Sequence, residues 1–319
     1  MQFVTYIHDT EVKMGARLDD WIVDLQRAQD YLLGNKHIVD DIIPSNVLTP
    51  ELMKELYDSD SPFMAETRQI LQTIQDSLPD ALGSLKSNAI LLPVIQLTLQ
   101  PPLTNPGKII CVGMNYPSPG SAEDPWPAYP VLFLKSSSTL TGHGQPIILP
   151  RVSDEVFCEG ELAVVIGKRG KHIPLEQALS YVAGYTIAND VGARDLEQRT
   201  PQWATGKLPD TFCPMGPSLV TSDEIPEANN LTITTYINGN LAQRGNTREM
   251  IFSVPHLISY ISSIATLLPG DIILTGSPKS INDQPAPIVY LNPGDNISIE
   301  IDGIGVLSNQ TVEEENPDA

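Results

Sequence analysis

The run Glu159-Gly-Glu-Leu-Ala-Val-Val-Ile-Gly167 constrains this chain more than any other stretch. Leu162 to Ile166 are all apolar and end in three β-branched residues, which is the texture of a strand buried on both faces. Side chains alternate across a strand, so Glu159 and Glu161 project to one side, and Cys158, Gly160 and Leu162 to the other. Two adjacent carboxylates repel each other and cost several kcal/mol to bury without a cation or a proton between them. A third acid, Asp190, ends a second apolar strand, Tyr185-Thr-Ile-Ala-Asn-Asp190. On a solvated sheet face such a pair needs no partner, but these acids run straight into buried strands, and a divalent metal is the remedy. Oxygen donors without histidine or thiolate select Mg²⁺ or Mn²⁺, with Ca²⁺ also compatible, over zinc.

Among the 319 residues, 39 are acidic and 19 basic, a formal charge of −20 that repels phosphate backbones and anionic lipid. Nucleic-acid and membrane partners are therefore not expected. A small anionic substrate would need local cations. Cys111, Cys158 and Cys213 are odd in number and show no C-x-x-C pairing, which points to a reducing compartment. The start, Met-Gln-Phe-Val-Thr-Tyr, lacks a basic segment followed by an apolar one, so a cytoplasmic location is expected.

The spacing of Leu18, Trp21, Ile22, Leu25, Ala28 and Leu32 predicts an amphipathic helix stopped at Gly34. Thr49-Pro50 and Ser61-Pro62 read as helix starts, the second followed by Ile70, Leu71, Ile74 and Leu78 at helical spacing. Residues 1–105 are thus expected to form a smaller helix-rich module. The proline-rich stretch Leu99–Gly107 marks the boundary, and residues 106–319 change to short apolar runs divided by Pro and Gly. Strands are predicted at Lys108–Val112, Val131–Leu134, Leu162–Ile166, Tyr185–Ala188, Ile233–Ile237, Ile272–Leu274 and Ile297–Ile301. Two helices are predicted among them, at Pro174–Tyr181 and from Ser253-Val254-Pro255 onward. The fold class is mixed α/β.

From about Pro106 to Val312 the chain resembles the fumarylacetoacetate hydrolase superfamily. The resemblance rests on Lys108-Ile-Ile-Cys-Val-Gly-Met-Asn-Tyr116, Val131-Leu-Phe-Leu-Lys135, the Glu159–Gly167 run and Tyr181-Val-Ala-Gly-Tyr-Thr-Ile-Ala-Asn-Asp190-Val-Gly-Ala-Arg194-Asp195. It continues through Gln202-Trp203, Gly206-Lys207, Asp210-Thr-Phe212, Gly245-Asn-Thr247, Met250-Ile-Phe-Ser253 and Leu274-Thr-Gly276. It implies a β-roll domain, commonly homodimeric, that holds Mg²⁺ or Mn²⁺ and acts on β-diketo or 2-oxo acids through an enolate. By position it implies Glu159, Glu161 and Asp190 as metal ligands, and Lys207 and Arg194 as the groups that meet substrate charge. The structural alternatives are an exposed loop lysine and an arginine that pairs with Asp195 or another acid to brace the loop. The resemblance also places Tyr116, Glu197, Gln202 and Thr275 at the substrate, with Glu197 standing where some members carry glutamine.

One departure bears on the chemistry. After Asn115-Tyr116, hydrolytic members continue with two residues and then a histidine, soon followed by a glutamate, on a short helix that closes over the substrate. That pair activates water as a general base. Here the chain reads Pro117-Ser-Pro-Gly120, with Pro119 in the histidine position. A proline accepts no proton and disfavours a helix. His143, Glu123 and Asp124 are the candidate replacements; His8, His37, His172 and His256 read as structural. The family default is a metal-dependent hydrolase cleaving a C–C bond. The missing histidine opens the alternative of a non-hydrolytic lyase or isomerase, such as a decarboxylase or tautomerase, and behind it a binding protein without turnover.

Overall fold

The computed structural model describes residues 1–33, 52, 55, 62–117, 126–281, 284–285 and 287–315. Pro119, Glu123, Asp124, His37, Gly34, Ser61 and the Thr49-Pro50 signal lie outside the described residues. All seven predicted strands are present, most of them longer than expected. The Glu159–Gly167 run forms the strand Gly160–Ile166, in which every residue is buried. It lies in the middle of a 12-stranded sheet, between Val182–Asn189 and Ile272–Leu274, antiparallel to both. Ile272–Leu274 then pairs in parallel with Ile109–Gly113, whose other neighbour is the terminal strand Val131–Lys135.

Burial on both faces has a direct cause: each face of this strand meets a different core. Leu162, Val164 and Ile166 pack with Ile233, Ile297 and Ile299 of a five-stranded sheet and with Leu257, Ile258 and Ile261 of the helix Val254–Ile264. Ala163 and Val165 face the opposite way, into a core built with Phe3, Val23, Leu25, Phe63, Met64, Ile70 and Ile74. Glu159 and Glu161 share the parity of Ala163 and Val165, as alternation requires. Gly160 has the other parity and lies against the second sheet. A Cβ there would come within 2.4 Å of the Thr235 hydroxyl and 2.9 Å of Ile299, so only glycine lets the two sheets approach between the glutamates.

The first hundred residues contribute strands as well as helices. Gln2–His8, Glu11–Leu18 and Trp21–Asp24 form an antiparallel meander whose first strand pairs with Cys213–Thr221, extending the main sheet. The helix expected from Leu18 begins only at Leu25. Two features override the periodicity. Ile22 and Val23 pair with Arg17 and Ala16 across a hairpin whose turn holds Asp19 at φ 52°. Asp24 then starts the helix Leu25–Leu33 by accepting the Arg27 N–H at 3.0 Å, while Tyr6 Oη donates to its other oxygen at 3.0 Å. The helix Pro62–Ser87 begins on its proline as predicted and covers the sheet, with Phe63 stacked 6.1 Å from Phe3. Pro174–Tyr181, predicted as a helix, is a 3₁₀ segment from Leu175 to Tyr181.

Gly160→Ala is expected to lower stability by about 1–3 kcal/mol through overpacking. Because the flanking residues are the two glutamates, it should also weaken Mn²⁺ binding. Thermal unfolding with and without Mn²⁺ measures both effects; an unchanged unfolding temperature would show that the sheets do not meet at this position.

Candidate active site

The ends of the two central strands bring the acids together. Gly160 pairs with Asn189 and Glu161 with Ala188, so Asp190 follows at the end of its strand beside the glutamates. The Asp190 N–H donates to the Glu159 carbonyl at 2.8 Å, and the Glu159 N–H donates to Asn189 Oδ1 at 3.0 Å. One carboxylate oxygen from each of Glu159, Glu161 and Asp190 lies within 4.8 Å of the others. Glu161 and Asp190 are buried, and Glu159 is partly open. A largely buried, all-oxygen donor set this tight fits a hard divalent cation, the class of metal expected from the sequence.

Lysines surround the acids. Lys207, buried on the short helix Ala204–Lys207, donates to Glu159 Oε2, Asp190 Oδ2 and the Asp190 carbonyl, each at 2.9 Å. Its ammonium lies 5.1 Å from the centre of the Phe157 ring. Lys135, at the end of its strand and with a fully buried side chain, donates to Asp190 Oδ1 at 2.6 Å and to the Val191 carbonyl at 2.9 Å. Lys279 forms an ion pair with Glu159 Oε1, which also accepts from Ser277 Oγ at 3.2 Å. Sequence reasoning assigned Lys207 but not Lys135 or Lys279. A lysine closing the apolar run Val131-Leu-Phe-Leu was a signal for Lys135; Lys279, in a loop, carried none.

These contacts set the protonation of the acids. Burial would raise Glu159, but Lys207 and Lys279 outweigh it and hold the carboxyl well below the usual range. Glu161 goes the other way: burial, then the charges of Asp190 and Glu159, raise it well above the ordinary value, against the Gly276 N–H that donates to it at 2.7 Å. Burial alone would lower Lys207, yet Asp190, Glu159 and Glu197 raise it, so it stays an ammonium. Gly276 has φ +95°, and a Cβ there would meet Asn115 at 2.9 Å and the Val112 carbonyl at 3.0 Å. Only glycine turns its N–H onto Glu161 at this point.

The other sequence-predicted residues divide into groups. Arg194 stacks 4.3 Å over Phe157 and pairs with Glu197 Oε2 at 2.6 Å. Glu197 is buried, its Oε1 lies 3.7 Å from Lys207 Nζ, and burial raises its pKa against Lys207 and Arg194. Tyr116 is buried with an unpartnered hydroxyl, pushed upward by burial and then by Glu161 and Glu249. Thr275 is buried and its hydroxyl donates to the Leu162 carbonyl at 2.9 Å, bracing the turn into Gly276. Gln202 stands apart, exposed in a turn whose Thr200 hydroxyl donates to its carbonyl. His143 is not brought to the acids: it lines a separate cavity with Arg17 and Trp21, and its Nδ1 accepts from the Ser308 N–H at 3.2 Å. Cys158 belongs to the core, its thiol pushed up to about 12 by burial and then Glu159, which removes it as a nucleophile.

A cavity of about 320 Å³ opens beside Glu159. Arg194 and Lys279 are its cations, and Phe157, Ile237, Ala242, Ile288 and Val289 form its apolar wall. The carboxylates and the cationic cavity together can bind a small acid beside a divalent ion.

Since Glu161 holds its proton above the ordinary carboxyl pKa and a cation needs the carboxylate, Mn²⁺ binding must displace that proton. Affinity is therefore expected to rise with pH until Glu161 is ionised. Calorimetry in two buffers of different ionisation heat should show proton release, lost in Glu161→Gln. An affinity constant between about pH 5.5 and 8 would refute the assignment.

Comparison with known proteins agrees with this geometry. Residues 108–312 match the family model of the fumarylacetoacetate (FAA) hydrolase C-terminal domain. The chain is 43% identical over 259 residues to the mitochondrial oxaloacetate tautomerase fahd2 of Xenopus laevis, covering 80% of this chain and 81% of that protein. It is 39% identical over 316 residues to the oxaloacetate tautomerase YisK of Bacillus subtilis (strain 168), covering 97% and 99%. Among solved structures, maleylpyruvate hydrolase from Sphingobium sp. SYK-6, in complex with manganese(II) and pyruvate, is similar at TM-score 0.71 and 27% identity, over 99% of this chain and 100% of that one. The 5-carboxymethyl-2-hydroxymuconate delta-isomerase from Mycobacterium smegmatis gives TM-score 0.71 and 28% identity over the same shares. With residues 108–312 matched by the family model and relatives of about 40% identity covering most of its length, the chain belongs to the fumarylacetoacetate hydrolase family and is an enzyme of that superfamily.

Proposed function

We propose that this enzyme is a divalent-metal-dependent keto–enol tautomerase of a 2-oxo acid, an isomerase rather than the C–C bond hydrolase that the family default suggests. The observation that carries the reading is the make-up of the cavity beside the acid triad: Glu159, Lys279 and Arg194 are its charged lining, with no imidazole among its described lining residues. In sequence, Pro119 occupies the position of the water-activating histidine. Relatives that match over 80% and 97% of the chain are oxaloacetate tautomerases, which supports the same choice.

Glu159, Glu161 and Asp190 would hold Mg²⁺ or Mn²⁺. When bound, the ion supplies Lewis acidity that favours the enolate over the ketone. The remaining groups bind and orient. Lys207 aligns Glu159 and Asp190 through three hydrogen bonds and helps hold the Glu159 carboxyl below its usual range, while retaining its own proton. Arg194, fixed between Phe157 and Glu197, presents a guanidinium edge to the substrate carboxylate. The apolar wall limits water around the carbon that exchanges its proton. The reading extends to a homodimer, as the family resemblance implies, and to the cytoplasmic location expected from the cysteines and the start of the sequence; light scattering of the purified protein checks the dimer.

The test uses purified enzyme, Mn²⁺ and oxaloacetate in D₂O, following enol absorbance and deuterium at the methylene carbon by mass spectrometry. Exchange faster than the Mn²⁺-only control, without fragmentation, is expected. Lys207→Met should slow it by about 10²–10³-fold. Enzyme-dependent cleavage of an acylpyruvate with oxygen from labelled water in the acid product would replace the tautomerase with the hydrolase, and enzyme-dependent CO₂ release with a lyase.

A further inference from the structure

A second cavity, of about 740 Å³, shares no lining residue with the one beside Glu159. Separate stretches of chain wall it: the hairpin that carries Arg17, Asp20 and Trp21, residues of the segment 93–99, and the turn 143–145. These walls are pinned to one another. The Val94 N–H donates to the Asp20 carbonyl at 3.0 Å, which ties the second stretch to the hairpin. Gln145 Nε2 donates to the Leu99 carbonyl at 2.9 Å and Gln145 Oε1 accepts from the Thr141 hydroxyl at 3.0 Å, while Asn309 Nδ2 donates to the Gly142 and Gln145 carbonyls, each at 2.8 Å. The Lys86 ammonium lies 4.1 Å from the centre of the Trp21 ring. The hollow is therefore built before anything enters it, as small-molecule sites of this size largely are.

Most of the wall is apolar, supplied by Trp21, Pro93, Val94, Leu97 and Leu99. Arg17 is its cation. Arg17 Nε donates to the Asp19 carbonyl at 2.9 Å, which fixes the guanidinium, and the two Nη groups have no partner among the described residues. His143 stands close enough for that charge, after burial, to lower its pKa, so the ring is mostly neutral at pH 7. Its Nδ1 accepts from the Ser308 N–H, which puts the ring proton on Nε2, and Nε2 has no partner among the described residues. Arg17 and His143 thus present unengaged N–H donors and no acceptor. Asp20, the one acid among the described lining residues, is exposed, where salt and water screen its charge. A guanidinium and an imidazole N–H suit a carboxylate, which accepts at both oxygens. A second carboxylate or a phosphate would carry further charge onto a wall that offers it no partner.

We propose that this cavity is a second small-molecule site, separate from the acid site, that binds a monocarboxylic acid with an apolar body, its carboxylate on Arg17 and His143 and its body against Trp21, Pro93 and Leu97. The assignment is independent of the reaction at the acids.

Calorimetry of the Mn²⁺-loaded protein with 4-phenylbutanoate and its uncharged counterpart 4-phenylbutan-1-ol tests it. Saturable binding of the acid, with the alcohol about 10-fold or more weaker, is expected. Arg17→Met should weaken the acid about 10–100-fold, the loss of one charge-assisted pair, and His143→Phe about 3–10-fold. Thr98→Trp, which adds bulk to the lining, should abolish binding, and Lys279→Met, in the other cavity, should leave it unchanged. Unchanged Mn²⁺ affinity in Arg17→Met and Thr98→Trp checks that both variants are folded. Equal affinity for acid and alcohol, absence of saturable binding, or binding that Lys279→Met removes and Arg17→Met spares overturns the proposal. If the acid does not bind and Ile95→Asp, at a lining residue 93% exposed, converts dimers to monomers in light scattering, the hollow is a contact between copies of the chain instead.

Discussion

The interlocked charges of Glu159, Glu161, Asp190, Lys135 and Lys207 hold the middle of this molecule together. Three acids at the ends of two central strands would drive those strands apart in a low-dielectric core unless cations sat among them. Lys207 draws a helical turn onto both strand ends, and Lys135 draws in the terminal strand Val131–Lys135. Lys279 and the Gly276 N–H bring the loop after Ile272–Leu274 onto the glutamates. Pieces of chain far apart in sequence therefore converge on the acids, and their geometry is set before any ligand arrives.

Packing supplies the rigid frame for this cluster. The strand that carries the glutamates is clamped between two cores, one shared with the five-stranded sheet and the helix Val254–Ile264, the other with the N-terminal strands and the helix Pro62–Ser87. Gly160 marks the closest approach of the two sheets, directly between the glutamates. The N-terminal strands join the main sheet through Gln2–His8 and Cys213–Thr221. The same sheet thus carries both the acids and the N-terminal meander, and the meander and its helices cover the core from which the acid-bearing face emerges.

Among the described residues, acids and lysines gather on one side of the cavity. Its acids and lysines suit an enolate beside a divalent ion, and the described wall of the cavity supplies no imidazole to activate water. The proteins that this chain resembles include a hydrolase, an isomerase and tautomerases, so membership of the family does not by itself choose among these chemistries. His143 does not choose either. Its place in the sequence, near the active-site loops, suggested a base, but the fold commits its Nδ1 to the Ser308 N–H in a different cavity.

Much was legible from residues alone wherever the pattern was local. Alternation placed Glu159 and Glu161 on one face, and β-branched runs located the strands. The 205 residues from 108 to 312 carry the family's motifs in order. Reading failed where tertiary contacts override local periodicity. Trp21, Ile22 and Leu25 are spaced as in a helix, yet hairpin pairing and the Asp24 cap divide them between a strand and a helix. Nothing local in the sequence showed that the Thr275 hydroxyl donates to the Leu162 carbonyl, a contact made between separate stretches of chain. The order of residues along the chain is enough to say that three oxygen ligands share a face and demand a cation, because strand geometry is a two-residue repeat. Which cations answer them is decided only in the folded chain, since Lys135 and Lys279 come from 24 residues before Glu159 and 120 after it, and only the closed sheet and its loops bring them within hydrogen-bonding distance.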